Sequence, residues 1–379
     1  MKEKISGVIQ KFGFNKEISD LQKLEIGHIN DTYVVNIGDE RYIVQRINGY
    51  VFKNPADIME NIEHVTTHIQ KKAKLMGKDP KRSTLSFLHA NDGHNYFKDD
   101  DGSYWRICPF IENTTTFEKI ENSSMLYGSG YAFGLFQNML DDFPMDTLHE
   151  TITDFHNTKK RLDSFFEVVK EDPCGRASST KNDINFFSER RKRSGSLIKL
   201  VETGGMPLRV THNDTKYDNI LIDTNTHEAV CVIDLDTVMP GLAVYDFGDA
   251  IRVVGNNATE DETDFDKITF NMEYYEIFTK GFIAGVNGLL KPIELENMAL
   301  GCINITVELA SRFLADHLDG DKYFKIHRPN HNLQRARNQM KLVIEMEKHL
   351  DEMNAVVEKY SSHKVLSTQK KLILVNSKI

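Results

Sequence analysis

Four cysteines in 379 residues are few, and their placement excludes two kinds of scaffold. Cys108, Cys174, Cys231 and Cys302 form no C-x-x-C pair and no zinc spacing. Neither a disulfide framework nor a structural zinc site is expected, and the four read as free thiols of a reducing cytoplasm. Positive charge is also short: the formal net charge is −9. That argues against nucleic acid as a partner, since non-specific binding to it rests on a basic surface. It leaves a nucleotide open, because a metal and local donors can neutralise phosphate. No window reaches the roughly 18 apolar residues of a membrane span. The N-terminal stretch MKEKISGVIQKFGF lacks the apolar region of a signal peptide and reads as a helix with Ile5, Val8, Ile9 and Phe12 on one face. Neither a membrane partner nor a secreted location is expected. Internal repeats and low-complexity tracts are missing too. What remains is ordinary globular composition, 40% hydrophobic and 27% charged, at a length that favours two domains or lobes.

The most informative stretch is 211–249, THNDTKYDNILIDTNTHEAVCVIDLDTVMPGLAVYDFGD. HNDTKYDN sets His212, Asp214 and Asn219 in an H-x-D-x-x-x-x-N pattern, and CVIDLD puts Asp234 and Asp236 at the end of a short apolar strand. The apolar run Ile220–Ile222, the polar Asp223–Glu228 and the apolar Ala229–Ile233 predict a hairpin, which would bring its two ends together. Asp214 and Asn219 would then lie near Asp234, giving a cluster of oxygen ligands with one further carboxylate. Phosphoryl transfer uses such a cluster. Magnesium takes carboxylate and amide oxygens, and a kinase catalytic loop places an aspartate beside the attacking hydroxyl and an asparagine five residues later on a metal. Either aspartate alone would suit a turn or a strand cap. The two motifs together, joined by a hairpin pattern, point to catalytic Asp214 and to Asn219 and Asp234 as ligands of Mg2+. Asp236 would support the metal shell or touch a second ion.

H-x-D-x-x-x-x-N followed by I-D-x-D resembles the aminoglycoside phosphotransferase and choline kinase superfamily. THNDTKxxNxL, IDLDTVMPG and YDFGDAIR in that order resemble the N-acetylhexosamine 1-kinases within it. GHINDTY at 27–33, YIVQRIN at 42–48, RFLADHLDGDKYF at 312–324 and HNLQRAR at 331–337 extend the likeness from about Gly27 to about Glu347. The resemblance implies an α+β protein-kinase-like fold of two lobes. The small sheet lobe, 1–108, would bind nucleotide, and the large helical lobe, 109–379, would carry catalysis and sugar binding. It also implies ATP as the phosphoryl donor and a small-molecule sugar as the acceptor. His28, Arg312 and Tyr323 would hold the sugar beside Asp214, and the backbone at Phe110 and Ile111 would meet the adenine edge. An aspartate after the metal strand, here Asp246, would hold backbone. Other kinases of the superfamily, acting on choline, homoserine, methylthioribose or an aminoglycoside, are the alternatives, followed by a non-catalytic kinase-like binding protein.

The nucleotide side departs from the general kinase pattern. Residues 21–48 predict a strand from Leu24 to Ile29, a turn, a strand from Thr32 to Ile37 and a third from Arg41 to Ile47. The turn GHIND carries one glycine instead of G-x-G-x-x-G. Gly27 would let backbone approach a phosphate, and Asn30 and Thr32 would bind nucleotide or cap their own turn. The third strand lacks the phosphate-binding lysine. Gln45 and Arg46 stand in its place and point to opposite faces, and Arg46 is the cation of the two. The helix predicted over 55–76 offers Glu63 as its acidic partner, with Glu60 behind it. Residues 85–111 predict two strands around DGHNYFKDDDGS. His156 and Arg161 match the family pattern, and His156 reads as a cap or core residue. The run Arg190–Arg193 reads as a solvated helix face, 256–266 as an acidic solubilising loop, and 331–360 as one long helix. Glu308 and Arg312 are spaced to pair with each other.

Overall fold

The computed structural model describes residues 1–24, 29–117 and 122–361. Its internal contacts divide the chain into two units, each of more than one segment.

The first unit comprises 1–116, 142–153 and 220–239. Its centre is an antiparallel sheet of five strands: β1 (Ile18–Leu24), β2 (Asp31–Ile37), β3 (Glu40–Ile47), β4 (Phe97–Lys98) and β5 (Tyr104–Pro109), in the order β1-β2-β3-β5-β4. The first strand lies earlier than the sequence pattern suggested. The expected turn residues Gly27 and His28 fall outside the described residues. The run before Asn91 forms no strand either. Leu88 donates only one backbone bond, to Ile107, and β4 arises inside DGHNYFKDDDGS instead.

Alternation along the strands gives the sheet two different faces. Tyr33, Val35, Tyr42, Val44, Trp105 and Ile107 lie on one face, where Ile5, Val8 and Ile9 from α1 (Lys2–Lys11) and Phe12 just after it cover them. Burying these apolar side chains supplies most of the local stabilisation, roughly 1.5–3 kcal/mol for each large one. The helix α2 (Pro55–Leu75) starts with Pro55 in its first turn and buries Ile58, Met59, Ile62, Val65 and Ile69 at helical spacing. Asn61 ties α2 to the segments that are distant in sequence. Its Nδ2 donates to the carbonyls of His149 (2.9 Å) and Val238 (3.2 Å), and its Oδ1 accepts from the His149 amide. The predicted hairpin forms in this unit, with Ile220–Asp223 paired to Ala229–Val232 and Ile220 opposite Val232.

The second unit comprises 117–141, 154–219 and 240–379, and is mainly helical where described, with one short strand, Arg209–Thr211, leading into the catalytic loop. Its central helix, Met298–Leu318, is apolar on nearly every side and is packed by the helices Ala243–Val254, Thr158–Glu171 and His331–Lys348. Among the described residues it is the one helix long and apolar enough to cross a membrane, by length and mean hydropathy alone. Most of it is buried in the protein, as a core helix would be. Gly248, in YDFGDAIR, allows the close approach. A Cβ there would stand 2.8 Å from the Gly301 carbonyl oxygen and from the Cys302 nitrogen. The helix expected over 331–360 is two helices, His331–Lys348 and Leu350–Ser361. His349 (φ −100°, ψ 6°) ends the first, and its carbonyl accepts from Met353 to begin the second. The basic run is not simply solvated, because Arg190 and Arg193 both bind Glu347 and Arg191 binds Asp163. The acidic loop is likewise tied down, with Asp261 accepting from Arg335 and facing His331.

Candidate active site

The catalytic-loop residues sit in the second unit, and their backbone is held from two directions. Asp246, in the first turn of Ala243–Val254, accepts from the amides of His212 and Asn213, each at 2.8 Å, and from Gln137 Nε2 at 3.0 Å. This is the backbone-holding role expected for it. Asn213 takes the left-handed conformation (φ 65°), which asparagine tolerates better than most residues. From the other side His156 Nε2 lies 3.0 Å from the Asn213 carbonyl, while its Nδ1 lies 2.9 Å from Glu308 Oε1. A carbonyl only accepts, so Nε2 carries a proton and donates it. Burial alone would push the His156 pKa down. Glu308 leads the groups that outweigh burial and hold it above the ordinary 6.5. His156 is therefore a charged strut, not only the cap or core residue expected. Gly241, from IDLDTVMPG, packs against the same loop, where a Cβ would meet Thr211 Oγ1 at 2.2 Å.

Asp214 follows this clamped pair. Its amide donates to His212 Nδ1 (3.2 Å), and its side chain remains 24% exposed, enough for a substrate to reach. Lys216 Nζ stands 3.0 Å from Asp214 Oδ1. Burial pushes the Asp214 carboxyl up, but the Lys216 ammonium leads the charges that outweigh it and hold the group below the ordinary carboxylate value. Asp214 is thus an ionised acceptor near neutral pH. Lys216 did not stand out in the sequence; a cation two residues after the base was the available signal. Asn219 Nδ2 donates to the Asp214 carbonyl (2.9 Å) and carboxylate (3.2 Å). The donor end of this amide is engaged, and its Oδ1 is the end left to accept or to ligate.

In the same unit Arg312 projects from Met298–Leu318 toward three rings, 5.7 Å from Phe155, 5.8 Å from Tyr323 and 5.6 Å from Phe324. The structure thus brings together the two residues separated by eleven positions. The alternative pairing with Glu308 does not form, because Glu308 is buried and engaged by His156 and by Thr158 Oγ1 (2.7 Å). Tyr323 is 60% exposed, and Asp316 holds its amide at 2.8 Å.

In the first unit the strand register decides which expected residues share a face. Thr32 pairs with Gln45, and Gln45 with Arg106. Gln45 Nε2 donates to Thr32 Oγ1 (3.0 Å), and Arg106 Nε donates to Gln45 Oε1 (2.9 Å). The row continues to Asp236. Arg106 donates to both its carboxylate oxygens, and Asn30 Nδ2 reaches Oδ2 at 2.7 Å. Arg106 is 2% and Asp236 3% exposed. Burial works against the Arg106 charge, but Asp236 leads the groups that outweigh it and raise its pKa. Sequence reading missed Arg106. Asp236 is engaged by three donors, so its role here is to hold Arg106 and Asn30.

Arg46 lies in the other register row, opposite Asp31 and Trp105, on the face that α1 covers, and it is ion-paired with Asp31. Glu63 does not pair with Arg46 as expected. It accepts from Asn95 (3.1 Å) and faces His89 (2.9 Å), because Arg46 projects to the α1 face. Glu60 faces His149 at 2.9 Å. The Phe110 amide donates to the Arg41 carbonyl (2.9 Å), and the Ile111 carbonyl accepts from Thr114 Oγ1 (2.6 Å). Asp234 closes the hairpin strand in the left-handed conformation, φ 59°.

A sheet-rich unit carrying I-D-L-D and a helical unit carrying an ionised aspartate in H-x-D-x-x-x-x-N define a phosphotransferase of the protein-kinase-like class. The chain belongs to the phosphotransferase enzyme family that includes aminoglycoside phosphotransferases, which it matches over residues 20–265. Solved structures show the same fold, with a sheet-rich N-terminal lobe and a helical C-terminal lobe. A microcompartment-associated aminopropanol kinase has TM-score 0.61 and 13% identity, over 93% of this chain and 98% of that one. Choline kinase from Cryptosporidium parvum Iowa II has TM-score 0.54 and 13% identity, over 91% and 93%. A spectinomycin phosphotransferase in complex with ADP and its antibiotic has TM-score 0.50 and 11% identity, over 87% and 95%.

Proposed function

We propose that the protein is an ATP-dependent small-molecule kinase that phosphorylates the anomeric 1-hydroxyl of an N-acetylhexosamine. The observation that carries this reading is the content of the helical unit. It holds an ionised Asp214 on a doubly clamped loop and an Arg312 set among aromatic rings, with no acidic partner among the described residues. Asp214 accepts the proton of the attacking hydroxyl, a step worth typically about 10²–10⁴-fold. Lys216 keeps it ionised until then, and Asn219 fixes its orientation. Arg312 donates to sugar oxygens, while Phe155 and Tyr323 offer apolar ring faces to the pyranose. His28 joins them by family resemblance.

The chain fits magnesium. Among the described residues no group of three or more His, Cys, Asp or Glu side chains is arranged to hold a metal. This ion needs only one or two protein oxygens beside phosphate and water. By the family resemblance Asn219 and Asp234 would each supply one, with Asp236 behind. Magnesium when bound would neutralise and orient the nucleotide phosphates. On the sheet, Gln45 is favoured over Arg46 for the phosphate side, because its face also carries Thr32, Asn30 and the Arg106 charge. Gly27 would line the same turn. The Phe110 carbonyl and Ile111 amide would meet the adenine edge, and Glu63 would act on this side only through Asn95 and α2.

The test is magnesium-dependent ADP release with N-acetylglucosamine, N-acetylgalactosamine, choline, homoserine, methylthioribose and an aminoglycoside. Turnover confined to the two sugars is expected. Turnover of an amine and of neither sugar would reassign the acceptor.

A further inference from the structure

Arg161 lies in the first turn of the helix Thr158–Glu171, half-buried. Its Nε donates to the Phe155 carbonyl at 3.1 Å, which fixes the guanidinium. The ring of that same Phe155 lies 5.7 Å from the Arg312 guanidinium. Two arginines therefore flank one residue, and no carboxylate among the described residues forms an ion pair with either. The nearby acids are occupied, Glu308 by His156 and Thr158 and Asp154 by Lys160 and Asn157. Burial first, and then the Arg312 charge, hold Arg161 below the ordinary arginine value against the opposing pull of Glu308, Tyr323 and Asp154, so the two guanidiniums act on each other. The next residue, His156, is the strut on Asn213, one position before Asp214. The arginine pair thus belongs to the surroundings of the catalytic loop.

A pair of like charges without a counter-ion is costly unless a ligand supplies acceptors. The left-over guanidinium donors suit carbonyl and hydroxyl oxygens, which accept hydrogen bonds, and they repel an ammonium group, which only donates. We infer that Arg161 is a second acceptor-binding residue and that, with Arg312, it sets the acceptor class: neutral or anionic oxygen-rich molecules are admitted and cationic amines rejected. This rests on the proposal that the Arg312 region receives the acceptor. It adds that charge, and not only shape, separates this site from one that takes aminopropanol or choline.

The test uses the full chain and acceptors matched in pairs, one neutral and one cationic. The pairs are N-acetylglucosamine with glucosamine, and 1,2-propanediol with 1-amino-2-propanol. Binding is measured calorimetrically with Mg-ADP present, so turnover is not required, and ADP release is measured separately with Mg-ATP. In the wild type the neutral member of the sugar pair should bind at least about tenfold more tightly at pH 6.5, since a repulsion near 1.4 kcal/mol is a factor of ten. Relative to N-acetylglucosamine, glucosamine should gain as the pH rises to 9 and its ammonium loses its proton. Arg161→Gln should shrink both the preference and its pH dependence several-fold, and Arg161→Lys, which keeps the charge, should retain them. A wild type that binds no neutral member more tightly than its cationic partner overturns the inference. So does an Arg161→Gln protein with an unchanged preference, and so does an Arg161→Lys protein that loses it. The reading as an N-acetylhexosamine kinase fails separately, if neutral acceptors are preferred but the sugar pair is not phosphorylated.

Discussion

The Arg106 guanidinium lies along the Asp236 carboxylate, with Nη2 3.1 Å from Oδ2 and Nη1 on Oδ1, and the pair is almost wholly removed from solvent. The two residues are 130 positions apart, and the contact joins the sheet to the end of the metal-strand hairpin within one unit. Breaking a buried pair from one side leaves the other charge uncompensated, which typically costs about 3–5 kcal/mol. Arg106→Met and Asp236→Leu should each destabilise by about that much in urea unfolding. The double variant should recover most of the loss, because no buried charge remains. Additive losses would mean that the pair is not coupled.

His156 gives the fold a pH dependence of definite sign. Its folded-state pKa is raised above 6.5, by Glu308 foremost once burial is overcome. The folded state therefore binds more protons than the unfolded one. The resulting stability is fully present below 6.5 and is lost as the pH rises through the folded value. The difference in unfolding free energy between wild type and His156→Gln should shrink steadily from pH 6.5 upward. A difference that grows over this window would contradict the assignment of His156 as a charged strut, and imidazole nitrogen NMR would report its protonation directly.

Asp214→Asn should lower turnover by about 10²-fold or more, the usual worth of a general base, and leave Mg-ATP affinity nearly unchanged in calorimetry. Asp234→Ala should do the reverse in binding: a hard cation loses an oxygen ligand, and magnesium-dependent ATP affinity falls. An Asp214→Asn enzyme with a tenth or more of wild-type turnover would remove that residue from the proton transfer.

Local pattern made much of this legible. The hairpin, α1 and α2 follow from spacing within a few turns or strands, whereas the backbone role of Asp246 and the juxtaposition of Arg312 with Tyr323 were legible only through the family resemblance. The opposite facing of Gln45 and Arg46 was also legible, since successive strand residues alternate. Which of the two faces α1 would cover was not, because that depends on packing between segments remote in sequence. Arg106 was hidden for the same reason. In YWRICPF it is one charge in an apolar strand, and its partner comes much later in the chain. The available signal was that a charge at a buried alternating position needs a counter-charge somewhere. Glu63 was misread because helix spacing puts it on the right helix without saying which cation the sheet turns toward it. The break at His349 left no mark in the apolar periodicity, which continues through Met346, Met353 and Val357.

The most direct test of the acceptor assignment is to cap the hydroxyl proposed to react. N-acetylglucosamine and its methyl glycoside are incubated with Mg-ATP, and the products are examined by phosphorus NMR. The reacting oxygen must come within about 3.2 Å of the Asp214 carboxylate, directly or through one water, so only one sugar oxygen reacts in a given pose. The account predicts phosphate coupled to the anomeric proton in the product of the free sugar, and no reaction of the methyl glycoside. Phosphorylation of the methyl glycoside, with the phosphate coupled to the C6 protons, would contradict it.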